Sequence, residues 1–193
     1  MKKFQLAFLL TLLAGSAYAQ FEDTKFVVGG AVDYNSDLFP NSSSLGITPS
    51  LAKTIKSNAL LGMSMGYNTS VRNNNLSNVK QTVNSINAGI YYQRFYSLAE
   101  NIFFNWQALA GVNFINIDDN SSMNDMKGYN LRVVPGFSWQ VMSKLILNAS
   151  LGGASYSYQS NSSESPGYSD DSSSNRIGIH FNNPQFSLIY LIK

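Results

Sequence analysis

Apolar and polar residues alternate with a period of two through most of the chain, most clearly in Ile102–Phe114. There Ile102, Phe104, Trp106, Ala108, Ala110, Val112 and Phe114 share one parity. Asn105, Gln107, Gly111 and Asn113 share the other, with Phe103 and Leu109 as exceptions. Period two belongs to a β-strand, whose successive side chains point to opposite faces. The run is long beside the usual strand of about 5–6 residues. A bilayer crossing takes about 9–11 tilted residues, with one face in lipid and the other lining a polar interior.

The pattern recurs along the chain. Strands are predicted over Phe26–Tyr34, Ile47–Lys53, Ala59–Val71, Val83–Gln93, Ile102–Phe114, Gly128–Val141, Leu145–Leu151 and Arg176–Lys193. Short turns are expected at Thr54–Asn58, Tyr96–Asn101 and Met142–Lys144. Long polar loops are expected at Ser36–Gly46, Arg72–Thr82, Asn116–Lys127 and Ser160–Asn175. Pro49 lacks a ladder donor and fits a strand end or bulge. The pair Gly152-Gly153 marks a phase slip, and Asn183-Pro184 interrupts the last strand. Short connections at one end and long ones at the other predict an all-β fold: an eight-stranded antiparallel up-and-down transmembrane β-barrel. Tyr34, Tyr67, Phe104, Phe114, Tyr129 and Trp139 sit near the ends of runs, as girdle aromatics do.

Alternation alone does not say which parity faces in. A polar set rich in Gly, Ser and Asn, and poor in Lys and Glu, suits a confined lumen better than a solvated exterior. The expected lumenal parity includes Gly29, Gly62, Gly66, Gly89, Gly111, Gly136 and Gly178. On it Leu109 must sit among small neighbours, and Phe103 near the periplasmic rim. The alternative, a secreted soluble β-barrel holding a small apolar ligand, inverts this sidedness.

Composition sharpens the picture. Charged residues make up only 12% of the chain against 44% apolar, about half the usual ~25%. Eleven Tyr and twelve Phe are too much aromatic surface for a disordered chain. Lys2 and Lys3, the apolar Phe4–Leu13 and the small-x-small Ala17-Tyr18-Ala19 read as a cleaved signal peptide over residues 1–19. That leaves 20–193 as the barrel domain. Removing Lys2 and Lys3 lowers Lys+Arg from thirteen to eleven, equal to the eleven Asp+Glu. The mature chain is then neutral, and its charge offers nothing to nucleic acid. With no cysteine, a disulfide framework and a lipid-modified N-terminal Cys are excluded.

An eight-stranded barrel is just wide enough for side chains to fill, so no wide pore is expected. The ionisable residues on the lumenal parity are Asp33, Arg132, Arg176 and His180. They are expected to form a lumenal polar network, because buried charges need partners. One His and no Cys cannot make a zinc site. Asp118-Asp119 and Asp170-Asp171 lack a calcium-loop spacing, and the Gly segments lack the Lys-Ser/Thr of a phosphate loop. Neither a cofactor nor a metal is therefore expected. His180, Phe181 and Asn182 offer no nucleophile–base–orienter constellation, so a lipid A-modifying barrel enzyme is the less favoured alternative and no catalytic residue is assigned. Phe39, Leu76, Met123 and Tyr168 punctuate the polar loops, where binding function often lies.

The stretches Ile47-Thr-Pro-Ser-Leu51, Tyr91-Tyr-Gln-Arg-Phe-Tyr96 and Val134-Pro-Gly-Phe-Ser-Trp139 resemble those of small eight-stranded outer-membrane barrels of the OmpX/OmpA type. The likeness is greatest to the porin-like outer-membrane β-barrel domain common in Bacteroidetes. The resemblance implies location in a Gram-negative outer membrane with both termini periplasmic. Its implied partners are membrane lipids, the barrel assembly machinery, and an extracellular ligand or host surface met by the loops, and its implied state is a monomer. Barrels of this class usually end in an aromatic residue; this chain ends Tyr190-Leu-Ile-Lys193.

Overall fold

The computed structural model describes residues 24–37, 42–74, 79–119, 122–165, 168–180 and 185–192. The signal-peptide reading, Phe39, Pro40, Leu76, Asn183-Pro184 and Lys193 lie outside the described residues. So do the side chains of Met123, Tyr168, Asp170, Asp171 and His180.

Alternating residues form β1 (Phe26–Asp37), β2 (Ser42–Lys56), β3 (Ala59–Asn74), β4 (Val79–Ala99), β5 (Ile102–Asp119) and β6 (Ser122–Met142). They are followed by β7 (Leu145–Ser150), β8 (Gly153–Ser165), β9 (Tyr168–His180) and β10 (Gln185–Ile192). All pairings are antiparallel. Round the barrel the order is β1, β2, β3, β4, β5, β6, β7, β10 and back to β1. The fold is a closed eight-stranded antiparallel barrel. Ten segments occupy eight positions because β7 and β8 share one side of β6, β7 against Gly136–Met142 and β8 against Asp125–Val133. Likewise β9 follows β8, and β10 follows β7.

The break between β7 and β8 is the expected phase slip. From Gly136↔Ser150 to Val133↔Ala154, β6 advances three residues while its partner advances four. Gly152 takes up the extra residue at φ 94°, a left-handed conformation that Gly adopts without steric cost. Leu147 and Leu151 therefore share the outer face with Ala154 and Tyr156, which are of opposite parity.

Three two-residue turns, Ser57-Asn58, Glu100-Asn101 and Ser143-Lys144, gather at the end that also holds Phe26 and Ile192. Each follows a register shift, at Thr54/Lys56, Ser97/Ala99 and Gln140/Met142. In each, the second turn carbonyl accepts from the N–H of the adjoining strand: Asn58 from Phe95, Asn101 from Gln140 and Lys144 from Leu191, all at 2.9 Å.

At the opposite end the described parts of the long polar segments are strand rather than loop. Ladder pairing extends into them as far as Asp37↔Ser42, Asn74↔Val79, Asp119↔Ser122 and Ser165↔Tyr168. Backbone pairing is indifferent to whether side chains are polar, so Ser and Asn on both faces lengthen the hairpins once the register is set. Pro49 also departs from expectation by lying within β2, opposite Gly30. The β2–β3 ladder passes over it, from Ile47↔Tyr67 to Ser50↔Ser64 in one unchanged register, so the missing donor costs a rung rather than the strand.

The apolar parity faces out. Met63 and Met65 are 62% and 61% exposed, while across the same strand Leu60 is fully buried. This outer surface is opposite in sidedness to a soluble barrel with an apolar interior. Two groups of aromatics bracket it. Near the turns, Tyr92–Trp106, Tyr96–Phe104 and Phe104–Phe137 have ring centroids 5.4, 6.3 and 5.9 Å apart. Towards the other end Tyr129 stacks on Tyr158 at 5.0 Å. Trp139 and Tyr129, ten residues apart on β6, are separated by ~33 Å along the strand and ~25 Å along an axis tilted by ~40°, the height of a lipid-facing band.

Candidate functional site

The lumen is a cup. Its floor, beside the short turns, is apolar: Val27, Ala52, Leu60, Tyr91, Phe95, Phe103, Ile146, Ile189 and Leu191 form one buried cluster. Phe103 is thus part of a solid plug near the turns. Leu109 packs against this cluster and pairs with Tyr91, while Gly111 lies within reach of its Cδ2. The expectation of a uniformly small and polar interior holds only above the floor. Nothing outside can reach the turn end of so narrow a ring, so large apolar side chains turn inward there and pack together.

Next to the plug runs a belt of amides and hydroxyls. Gln93 Nε2 donates to Asn105 Oδ1 at 3.1 Å, and Asn105 Nδ2 donates to Ser138 Oγ and Asn148 Oδ1, both at 2.7 Å. Ser138 Oγ donates to Asn148 Oδ1 at 3.0 Å, and Asn148 Nδ2 to Ser187 Oγ at 3.2 Å. Five strands, β4, β5, β6, β7 and β10, are tied by this chain of bonds. Gln93, Asn105 and Ser138 are buried, and buried polar groups persist because each finds a partner. Of the five, the sequence pattern marks only Asn105, as a polar position of Ile102–Phe114, and nothing in it joins that residue to the other four. The available signal was an amide or hydroxyl two residues along from an inward apolar one, as in Gln93/Phe95 and Asn105/Phe103.

Above the belt lies a cavity of ≈ 410 Å³ whose lining includes Asp33, Thr48, Asn68, Asn87, Asn130 and Arg132. Asn130 Nδ2 donates to Asn113 Oδ1 at 2.8 Å, and Asn130 Oδ1 is buried without a partner. Asp33, opposite Gly46 of β2, and Arg132, opposite Leu109 and Ser155, line the same cavity, and the positive charge of Arg132 acts on the Asp33 carboxylate. Arg176 of β9 pairs with Ser157 of β8 and is exposed. His180 ends β9 opposite Gly153. Among the described residues, no group of three or more His, Cys, Asp or Glu side chains is placed to hold a metal ion.

No helix among the described residues is long and apolar enough to cross a membrane, which leaves a strand-built crossing untouched. No family model and no curated protein matches the sequence. The solved structures of similar fold include two outer-membrane proteins. One is Neisserial surface protein A, at 14% identity and TM-score 0.45, covering 86% of this chain and 95% of that one. The other is a major outer membrane protein from Thermus thermophilus, at 9% identity and TM-score 0.45, covering 88% of this chain and 100% of that one.

Proposed function

We propose that the chain is an integral protein of a Gram-negative outer membrane with a non-catalytic, structural or surface-binding role. The observation that carries this reading is the continuous outward apolar surface bracketed by two aromatic groups. A soluble monomer rarely exposes an apolar patch above a few hundred Å², whereas a lipid-facing band requires one. With the short turns and both strand termini at one end, that end is periplasmic, and the polar hairpins project outside. Each hairpin is a two-stranded ribbon rich in Ser and Asn, suited to hydrogen-bonded contact with an extracellular ligand or host surface. The apolar floor argues for a plugged barrel and against a solute channel.

The membrane reading is tested by the protein's behaviour on extraction. Purified chain should require detergent and migrate differently on gels with and without boiling; a monodisperse protein in plain buffer overturns it. In planar bilayers no stepwise conductance is expected, and sustained open channels would refute the plug. For the absence of catalysis, lipid A from cells expressing His180→Ala should match that from cells expressing the unaltered chain.

A further inference from the structure

Charge is unevenly spread along the barrel. At the turn end the described residues carry Lys25, Lys53, Lys56, Arg94 and Lys144 against Glu100 alone. Of these cations, Arg94 is set in an aromatic frame on the outer wall. It stands between Tyr92 and Tyr96 on β4 and opposite Trp106 on β5. Tyr92 and Trp106 have ring centroids 5.4 Å apart, and Trp106 Nε1 donates to Tyr96 Oη at 3.5 Å. The Arg94 guanidinium sits 5.2 Å above the centre of the Tyr96 ring. Tyr96 is only 6% exposed although its parity faces out, with Arg94 and Phe104 against it. Stacking occupies the face of a guanidinium and leaves its edge donors to be met in the plane. Arg94 Nε is buried without a hydrogen-bond partner. A cation held at the rim of a lipid-facing band, and incompletely satisfied by its own chain, calls for an anionic acceptor from outside.

Lys56 belongs to the same cross-strand row, which runs Lys56↔Ala59↔Arg94↔Trp106. Two strand spacings separate Lys56 from Arg94, about 10 Å between Cα atoms. The residue between them, Ala59, is small and fully buried, so two long cationic side chains can converge over it on one phosphate. On the side away from the turns an apolar groove of ≈ 580 Å³ runs over the outer wall past Leu61, Tyr92, Ala108 and Ala110. Its depth comes from Ala108 and Ala110 of β5, which lie between the larger Tyr92 and Ile90 on one side and Val133 and Leu131 on the other. Trp106 and Ala108 are successive outward residues of β5, so the groove begins where the frame around Arg94 ends. A cationic site at the rim, continued by an apolar trough towards the middle of the band, matches one phospholipid from head to tail.

We infer that Lys56 and Arg94 hold the phosphodiester of an anionic phospholipid of the periplasmic leaflet, with one acyl chain laid in the groove over Ala108 and Ala110. This inference rests on the membrane-barrel reading above. The chain has two tryptophans, and they supply the test: Trp106 stands at the site, while Trp139 lies elsewhere on the same rim, opposite Ile102. The full mature chain with Trp139→Phe, and separately with Trp106→Phe, is placed in phosphatidylcholine vesicles. Each set contains phosphatidylglycerol or phosphatidylcholine brominated near the ester end of its acyl chain. Insertion and heat-modifiable migration of each variant report on the membrane reading; quenching of the remaining tryptophan reports on the site.

At Trp106 brominated phosphatidylglycerol should be preferred about tenfold over brominated phosphatidylcholine, and at Trp139 hardly at all. The preference should persist in 1 M NaCl, where charges on a solvated rim are screened within about 3 Å. Lys56→Gln combined with Arg94→Gln should abolish it. Ala110→Phe, which fills the groove away from the reporter, should lower it several-fold. Equal preference at the two tryptophans overturns the proposal, and so does its loss in 1 M NaCl, which would reduce the site to a diffuse basic rim. A preference untouched by the double variant overturns it too, as would follow if Glu22 or Asp23, outside the described residues, already held Arg94. Displacement of phosphatidylglycerol by millimolar inorganic phosphate would make this a site for a free anion and refute the lipid. Should the double variant fail to insert, the salt series and Ala110→Phe decide.

Discussion

Asn105→Ala removes the hub of the polar belt. The side chain is 2% exposed and takes part in three hydrogen bonds, one accepted from Gln93 and two donated, to Ser138 and Asn148. Each such bond contributes about 0.5–1.5 kcal/mol net, so their loss alone amounts to roughly 3 kcal/mol. The partners then decide the outcome. Asn148 Oδ1 keeps Ser138 Oγ at 3.0 Å, but the Gln93 amide is left buried beside the apolar plug, and an unmet buried donor costs about 1–3 kcal/mol. A total of about 4–6 kcal/mol is expected, a shift of roughly 2–3 M in urea midpoint at a slope of about 2 kcal/mol/M. Asn113→Ala serves as the comparison: it gives up one bond, to Asn130, beside an open cavity where water can replace it, and should cost under ~1 kcal/mol. The assay is equilibrium urea unfolding in phospholipid vesicles, followed by tryptophan fluorescence and by gel migration without boiling. Equal, small losses for the two variants would mean that water reaches the belt, and the description of a dry plug beneath it would fail.

Three further perturbations probe other parts of the design. Met63→Lys puts a charge in the middle of the outer apolar band, between the two aromatic groups, and should cost about 2–4 kcal/mol in vesicles; unchanged stability would place that surface outside lipid. In Gly62→Ala the new Cβ would meet the Leu51 carbonyl oxygen at 2.6 Å, Ala52 Cβ at 2.7 Å and Tyr91 Cζ at 2.7 Å. Two of these three atoms cannot swing away, so urea unfolding should register a loss of about 1–3 kcal/mol. Gly152→Ala forces a side chain into the left-handed φ of the bulge, for a loss of about 1–2 kcal/mol; a stability equal to the unaltered chain would show that the bulge can migrate.

The alternation of β5 was legible residue by residue, and so were the three tight turns and the slip at Gly152, because strand parity and turn chemistry are local. Hairpin length was not: Asn84↔Asn116 and Thr82↔Asp118 are paired although the apolar residues of β5 there, Ile115 and Ile117, fall on the parity opposite to Phe114. Such pairs inherit their register from the apolar part of the same strands. Asp33 and Arg132 were recognised as lumenal, since parity assigns a face. That they line one cavity follows from the height at which each crosses the barrel, a property of ring closure. The belt around Asn105 escaped notice because its five members lie on five strands, and no spacing in the chain brings Gln93, Asn105, Ser138, Asn148 and Ser187 together.

By itself the sequence determined that the chain forms alternating strands, how many positions they fill, where they turn, and which side chains share a face. Those properties need only the two-residue period of an extended backbone. The tertiary structure decided the rest: that the apolar parity is the outer one, that Phe95 and Phe103 turn inward to floor the lumen, and that five strands bring their amides and hydroxyls into one belt. Sidedness, depth and closure depend on which strands meet across the ring, and that is settled by contacts between residues far apart in the chain.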